Sequence, residues 1–173
     1  MATDQLIFID EAGAGQNMCL EYGRSQKNKR VHTKVPVARG KRVSTIGALS
    51  LNGLSATFCF EGTLNTTVFL YFLTQFLVPK LKPGNVVVLD NASVHHSSEA
   101  VALIEATGAK VVYLPPYSPH LNPIEFIWAK AKNLVRKFQP RAIDELYQAW
   151  IIALYSISSQ DAHGCFGHVF KIN

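Results

Sequence analysis

The sequence predicts an α/β fold, a mixed sheet flanked by helices. Three observations carry that expectation. Residues 6–9 and 86–89 are short apolar runs that each end in an aspartate, the pattern of a buried strand leaving a sheet. Residues 86–114 read strand–helix–strand, a crossover that demands parallel pairing and a right-handed connection. Residues 42–51 and 54–61 read as two strands joined by Asn52-Gly53, a strong hairpin signal. With 173 residues, 48% hydrophobic and 17% charged, the chain is expected to form one globular domain spanning residues 1–173.

The elements follow in order. Residues 18–23 are expected to pair with the first strand, and 24–41 to form a hairpin loop or irregular excursion. Both turn positions of Asn52-Gly53 are expected at positive φ. Residues 65–78 have helical spacing through Val68, Phe69, Phe72 and Phe76, broken by residues 79–84. A helix is expected over 97–107, stopped by Gly108, and a strand over 110–114. The stretch PPYSPHLNP reads as a rigid loop. A helix from 123 to about 138 follows, with Ile124, Ile127, Trp128, Ala131, Leu134, Val135 and Phe138 as its apolar stripe. The last, from 142 to about 158, shows Ile143, Leu146, Tyr147, Trp150, Ile151 and Leu154 as its packing stripe. Trp128 is expected in the core.

Several classes are excluded. No apolar run approaches the ~20 residues needed to span a bilayer, so no membrane partner is expected. The N-terminus has no basic signal-peptide region, and the three cysteines are odd in number without C-x-x-C spacing. A reducing, cytoplasmic compartment is expected. GAGQNM has Met18 where the third glycine of a dinucleotide fingerprint belongs, and no P-loop is present.

Net charge is +5, and its distribution is uneven. Eight of the 17 Lys and Arg residues fall in one stretch: Arg24, Lys27, Lys29, Arg30, Lys34, Arg39, Lys41 and Arg42. A second group is Lys130, Lys132, Arg136, Lys137 and Arg141. Clustered cations point to a polyanion, most simply nucleic acid; a solvated loop and a solvated helix face are the other reading.

Only 12 residues are acidic. Asp10 and Asp90 each close an apolar strand, and on neighbouring strands both would emerge at one carboxyl edge, where open α/β sheets place their sites. Each alone also fits a turn or helix cap. Glu125 stands at the third position of a helix expected to start from Asn122 and Pro123, so it either bonds back to the Asn122 N–H as a capping box or faces a site. Lys132 and Arg136 trail behind it on one helical line. Three carboxylates without a histidine or cysteine partner suit hard cations, Mg²⁺ or Mn²⁺, and two such ions serve phosphoryl transfer. Empty, the three acids repel one another, so the site is expected to be loose or partly protonated.

Read together, FIDEAG, VVVLDNASVHHS and LPPYSPHLNPIEFIWAKAK resemble the catalytic domain of DDE transposases, nearest to the bacterial insertion-sequence members of the Tc/mariner superfamily. Thirty-four residues, 91 to 124, separate Asp90 from Glu125, the spacing that these branches share. The resemblance implies a ribonuclease-H-like fold and cut-and-join chemistry on double-stranded DNA at TA targets. It also implies two Mg²⁺ or Mn²⁺ ions held by Asp10, Asp90 and Glu125. Asn91 and His95 match its D-N-x-x-x-H turn; His95 is expected to touch DNA, orient Asp90 or cap the next helix. Glu11 points to the face opposite Asp10 and is a weak backup ligand. His120 stands where the family often has an acid, and His96 matches no family role. DNA contacts are expected from Arg24, Lys27, Lys29, Arg30, Arg39, Lys41, Arg42, Asn91, His95, Lys132 and Arg136.

Family members carry an N-terminal helix-turn-helix region that reads transposon ends. The first strand here starts near residue 5, so that region is expected to be absent and end recognition to rest with a separately encoded domain. A homodimer and a nucleoid-associated location fit the same picture. The alternatives are a non-catalytic DNA-binding relic and a structure-specific nuclease of the same fold.

Overall fold

The computed structural model describes residues 3–20, 22–32 and 40–171. Among the described residues five strands form one sheet in the order β3-β2-β1-β4-β5: β1 Leu6–Gly15, β2 Arg42–Ser50, β3 Gly53–Phe60, β4 Val86–Leu89 and β5 Lys110–Tyr113. The first three are antiparallel neighbours; β4 and β5 run parallel to β1. The mixed sheet expected from the sequence is therefore present, with β4, helix α2 (Ser98–Glu105) and β5 as its crossover.

Alternation along the strands sorts the core into two layers. Leu6, Phe8, Ala12, Val86 and Val88 face α3 (Ile124–Phe138), α4 (Ile143–Tyr155) and α5 (Ser159–Phe170). Ile7, Ile9, Val87 and Leu89 face α1 (Thr66–Phe72) and α2. Asp10 shares the parity of Leu6, Phe8 and Ala12, so its carboxylate belongs to the α3 side.

The structure corrects several expectations. β1 does not end at Asp10; it continues to Gly15, paired with β2 from Phe8↔Leu49 to Gly15↔Arg42. Residues 18–20 and 22–23 are therefore not its partner, because β2 occupies that edge. The excursion is closed at its base, where Gln16 N donates to Lys41 O (3.1 Å) and Lys41 N to Gln16 Oε1 (2.7 Å). In the β2–β3 hairpin Ser50 pairs with Gly53, so Leu51 and Asn52 make the turn and only Gly53 takes positive φ, at 116°. Helical structure after α1 passes through a wide turn at Leu73–Leu77 and a tight one at Val78–Lys80, so Pro79 lies within it. Proline fits there because an opening turn leaves its missing N–H unused.

Two helix faces are also rotated from expectation. Phe138 is 54% exposed, and α4 buries Leu146, Ala149, Trp150 and Ala153 while Ile151 faces outward. Helix α5 was not anticipated. Gly164 and Gly167 weaken its local propensity, yet Ser158 and Asp161 form a capping box at its start. Phe166 then packs edge-on against Phe8 at 5.6 Å, and Lys130 ties α3 to Asp161 at 2.5 Å. That ion pair, with the cap, pulls the Asp161 carboxyl down to about 2.

Two tryptophans fix α3 and α4 on β2. Trp150 Nε1 donates to the buried Thr45 Oγ1 at 2.6 Å, and the Trp128 and Trp150 rings stack at 6.3 Å. Gly47 makes this possible: a Cβ there would lie 2.7 Å from the Trp128 ring. Gly47→Ala is therefore expected to destabilise the fold by about 1–3 kcal/mol through overpacking. Denaturant unfolding measures this, and an unchanged midpoint would show that the indole can move aside freely.

Candidate active site

Continuing the β1–β4 register, in which Phe8 pairs with Val88, brings Asp10 opposite Asp90. Asp90 follows β4 directly, and α3 delivers Glu125 one residue after its start. All three acids line a single cleft of about 420 Å³ with Asn91, Asn122 and the loop Pro115–Pro119. A second cleft, of about 670 Å³, lies against Asp10 and Asp90 and is walled by Glu11, Arg42, Ser44, Gly62 and Thr63. The two aspartates thus stand between two grooves.

Each acid is held differently. Asp10 is half-buried and accepts a hydrogen bond from Trp128 Nε1 at its Oδ2 (3.1 Å). Burial pushes its carboxyl up to about 7, reinforced by Glu125 and then Asp90; the Glu11 N–H and Trp128 oppose the shift without cancelling it. Asp90 moves the other way. Its Oδ1 accepts from His95 Nδ1 (2.5 Å) and from the Ala92 N–H (3.0 Å), and the His95 bond holds the carboxyl below its usual range despite burial. The neighbouring acids therefore titrate in opposite directions, a pattern of site carboxylates.

Glu125 decides between its two expected roles. The Asn122 N–H donates to Pro119 O (3.0 Å), and the helix begins from Pro123 with no side-chain cap. No capping box forms, so the exposed Glu125 carboxylate is left to the cleft. Asn122 itself is buried, and among the described residues its Oδ1 has no partner.

His95 is only 2% exposed, its ring packed on Phe69 at 4.7 Å, so it offers no surface to DNA in this fold; its bond to Asp90 is the role the geometry gives it. Among the described residues its buried Nε2 has no partner. His96 is exposed and stacks on Tyr113 at 4.3 Å. Asn91 is exposed at the cleft, and its amide donates to the Leu114 carbonyl, tying the ends of β4 and β5. The sequence reading placed Trp128 in the core, where it is, but missed its bond to Asp10. An indole three positions after Glu125 on a helix that faces Asp10 was the available signal.

The basic residues separate into four groups. Arg24, Lys27, Lys29 and Arg30 are exposed on irregular chain, and none forms an ion pair among the described residues. Lys41 and Arg42 are also exposed, with the Arg42 guanidinium over Gly13, where a Cβ would lie 1.9 Å from Nε. There it faces Glu11, whose carboxyl is raised by burial and partly lowered by this cation. Lys132 is half-buried, and Arg136 donates to Asn133 at 2.8 Å. Arg141 is a structural clamp, bonding the carbonyls of Gln16 (3.2 Å) and Met18 (3.3 Å). Arg39 and Lys34 lie outside the described residues.

The donor set fits a hard cation. His95 and Ala92 both bond Asp90 Oδ1, and among the described residues neither Asp90 Oδ2 nor the Glu125 carboxylate accepts a hydrogen bond. Among the described residues, however, no three acidic, histidine or cysteine side chains are close enough together to hold a metal ion. The acids share a cleft without closing on one point, as mutual repulsion requires.

A raised carboxyl in the folded state binds a proton that the unfolded chain has lost between its ordinary value of 3.8 and about 7. Folded stability from this group is therefore greatest at the acidic end of that window and declines as pH rises through it. Glu11 contributes in the same direction, and Asp90 the opposite way only at lower pH. The metal-free protein is expected to melt at lower temperature at pH 8 than at pH 5.5, with Asp10→Asn flattening the slope. Equal slopes for the two proteins would remove Asp10 as the cause.

Comparison with known proteins gives this geometry its setting. The model of the DDE superfamily endonuclease family matches residues 5–147. The Mos1 transposase paired-end complex with left transposon end has a similar fold, with a TM-score of 0.77 at 14% identity, covering 98% of this chain and 53% of that one. A pre-cleavage Mos1 transpososome gives 0.78 at 13% identity, covering 97% and 53%. The catalytic domain of Mos1 mariner transposase gives 0.68 at 12%, covering 97% and 78%. The chain thus spans about half the length of the first two, and no curated protein matches it by sequence. The ribonuclease-H-like sheet is that of the Mos1 catalytic domain, and the chain belongs to the DDE superfamily endonuclease family.

Proposed function

We propose that this chain is the catalytic domain of a DNA transposase, cleaving and joining strands at transposon ends with TA target sites. Asp10, Asp90 and Glu125 are its acidic triad. The observation that carries the reading is the Glu125 carboxylate, free of any capping bond and open to the cleft that Asp10 and Asp90 line. The fold-related Mos1 structures include complexes with a transposon end, with Mn and with Mg, which supports DNA as substrate and a divalent ion as cofactor.

The three acids would hold two Mg²⁺ or Mn²⁺ ions, which supply activation of the attacking oxygen and charge stabilisation at the leaving one. The chain's own residues position the acids. His95 fixes the rotation of Asp90, directing Oδ2 to the cleft, and Trp128 fixes Asp10. Arg42 borders the second groove, and Lys41 stands just before it at the start of β2, where the two would neutralise phosphates beside the acids. The exposed Arg24, Lys27, Lys29 and Arg30 add positive charge and contact DNA without reading bases. A homodimer completes the assembly, in a nucleoid-associated cytoplasmic setting. Among the described residues no helix is long and apolar enough to cross a membrane.

Glu125→Gln is the direct test. Nicking of duplex DNA with Mn²⁺ should fall by about 10²-fold or more, a scale that the loss of even an outer-shell partner reaches. Stability should stay within about 0.5 kcal/mol, as for other exposed substitutions. Retained nicking overturns the triad. Separately, Arg24→Glu, Lys27→Glu and Arg30→Glu together should weaken binding to all duplexes alike. The slope of log affinity against log salt should fall by about 0.9 for each phosphate contact removed. An unchanged slope returns these cations to a solvated loop.

A further inference from the structure

The loop between β5 and α3 forms the outer wall of the acid cleft, and Tyr117 is exposed on it. Its side chain is fully in solvent, at 101% of reference area. Its backbone φ is 55°, in the left-handed region that bulky residues avoid. The loop sustains that conformation. Pro115, Pro116 and Pro119 fix φ around it and restrict the residues before them. Ser118 Oγ donates to Pro116 O (3.3 Å), and Leu121 N to Ser118 O (3.1 Å). An aromatic ring is thus displayed to water on a stiff support, where burial would otherwise draw it inward.

We propose that Tyr117 is a stacking platform for one unpaired nucleobase beside the phosphate in the acid cleft. This rests on, and deepens, the transposase reading above. Tyr117 lines the same cleft as Asp10, Asp90 and Glu125, so a base stacked on its ring keeps the adjoining phosphate at the acids. A carboxylate-lined cleft gives DNA little attraction of its own, and a neutral π-face supplies affinity without demanding a particular base. Tyr155, 88% exposed, is an internal contrast: it borders an apolar groove with Ile151 and Leu154, away from the acids.

The experiment uses the full chain and a duplex carrying a three-nucleotide single-stranded extension, with 2-aminopurine at the junction and Ca²⁺ in place of Mg²⁺. Wild type and Tyr117→Phe should quench the fluorophore on binding. Tyr117→Ala should not, and should bind the extended duplex roughly 5- to 100-fold more weakly, the range one base–aromatic stack supplies. Affinity for a blunt duplex should not change. Tyr117→Gly relieves the backbone strain, so it guards against a folding defect and should behave like the alanine variant; Tyr155→Ala should behave like wild type. Binding with equal quenching in every variant overturns the stacking role and leaves the transposase reading standing. Failure of wild type to bind either DNA overturns both.

Discussion

Asp10 lies in the interior of a ten-residue strand, beside Gly47 of β2 and facing the helix layer. A carboxylate there loses hydration, and its surroundings have to accommodate either a proton or a compensating charge. The arrangement around it follows. Gly47 carries no side chain, so the Trp128 indole can lie on β2 and offer Nε1 to the acid. The same indole stacks on Trp150, which is anchored on Thr45. The placement of α3, and with it Glu125, is thereby coupled to the residue it must face. A single hydrogen bond to a carboxylate is worth about 1.5–3 kcal/mol, less than full desolvation of the ion, which is why the Asp10 carboxyl is raised although Trp128 and the Glu11 N–H both favour its charge.

Asp90 meets the opposite conditions a short distance away. It ends β4 rather than interrupting it, remains half-exposed, and receives two donors on one oxygen. His95 can supply one of them because the turn after β4 returns the ring beneath the acid, and Phe69 closes over its far side. The neighbouring acids thus divide their roles before any ligand arrives: one is ionised and rotationally fixed, the other readily protonated and buried. Two ionised aspartates and Glu125 at close range would oppose folding. Protonating the most buried of the three relieves the repulsion at the position where desolvation already favours it.

The strand pattern and the crossover were legible because they depend on alternation and on strand, helix and loop lengths, which sequence displays directly. Asp10 and Asp90 were read from the ends of apolar runs, Glu125 from a helix start, and all three from the resemblance of their flanking motifs; one cleft holds them. What escaped depended on contacts between distant residues. Asp10 looked like a strand end because an acid and two glycines follow the apolar run, yet β2 pairs with that stretch to Gly15 and Arg42 fills the space over Gly13. Helix α5 was hidden by two glycines, although Ser158 and Asp161 marked its start. Sequence left Glu125 between a cap and the site; the cap does not form because Pro119 O takes the Asn122 N–H, a choice set by the turn geometry of the proline loop.

The cleft itself arises from a mismatch in pairing length. β1 is paired with β2 as far as Gly15 but with β4 only as far as Phe8, so the sheet divides beyond that residue. Parallel sheets place their sites where neighbouring connections diverge, and here the divergence occurs within one strand. The parity of β1 then leaves one usable position on the α3 face. Phe8 is still within the β4 pairing and covered by Phe166. Ala12 is buried in the helix-facing core. Between them, residue 10 is the one site at which a side chain can be held by the core and still reach the opening. An acid moved two residues either way would be sealed beneath a helix, facing neither Asp90 nor solvent. The position of the first acid is therefore set by where β4 stops pairing, and the carboxylates of Asp90 and Glu125 reach the cleft because β4 ends and α3 begins at that same split.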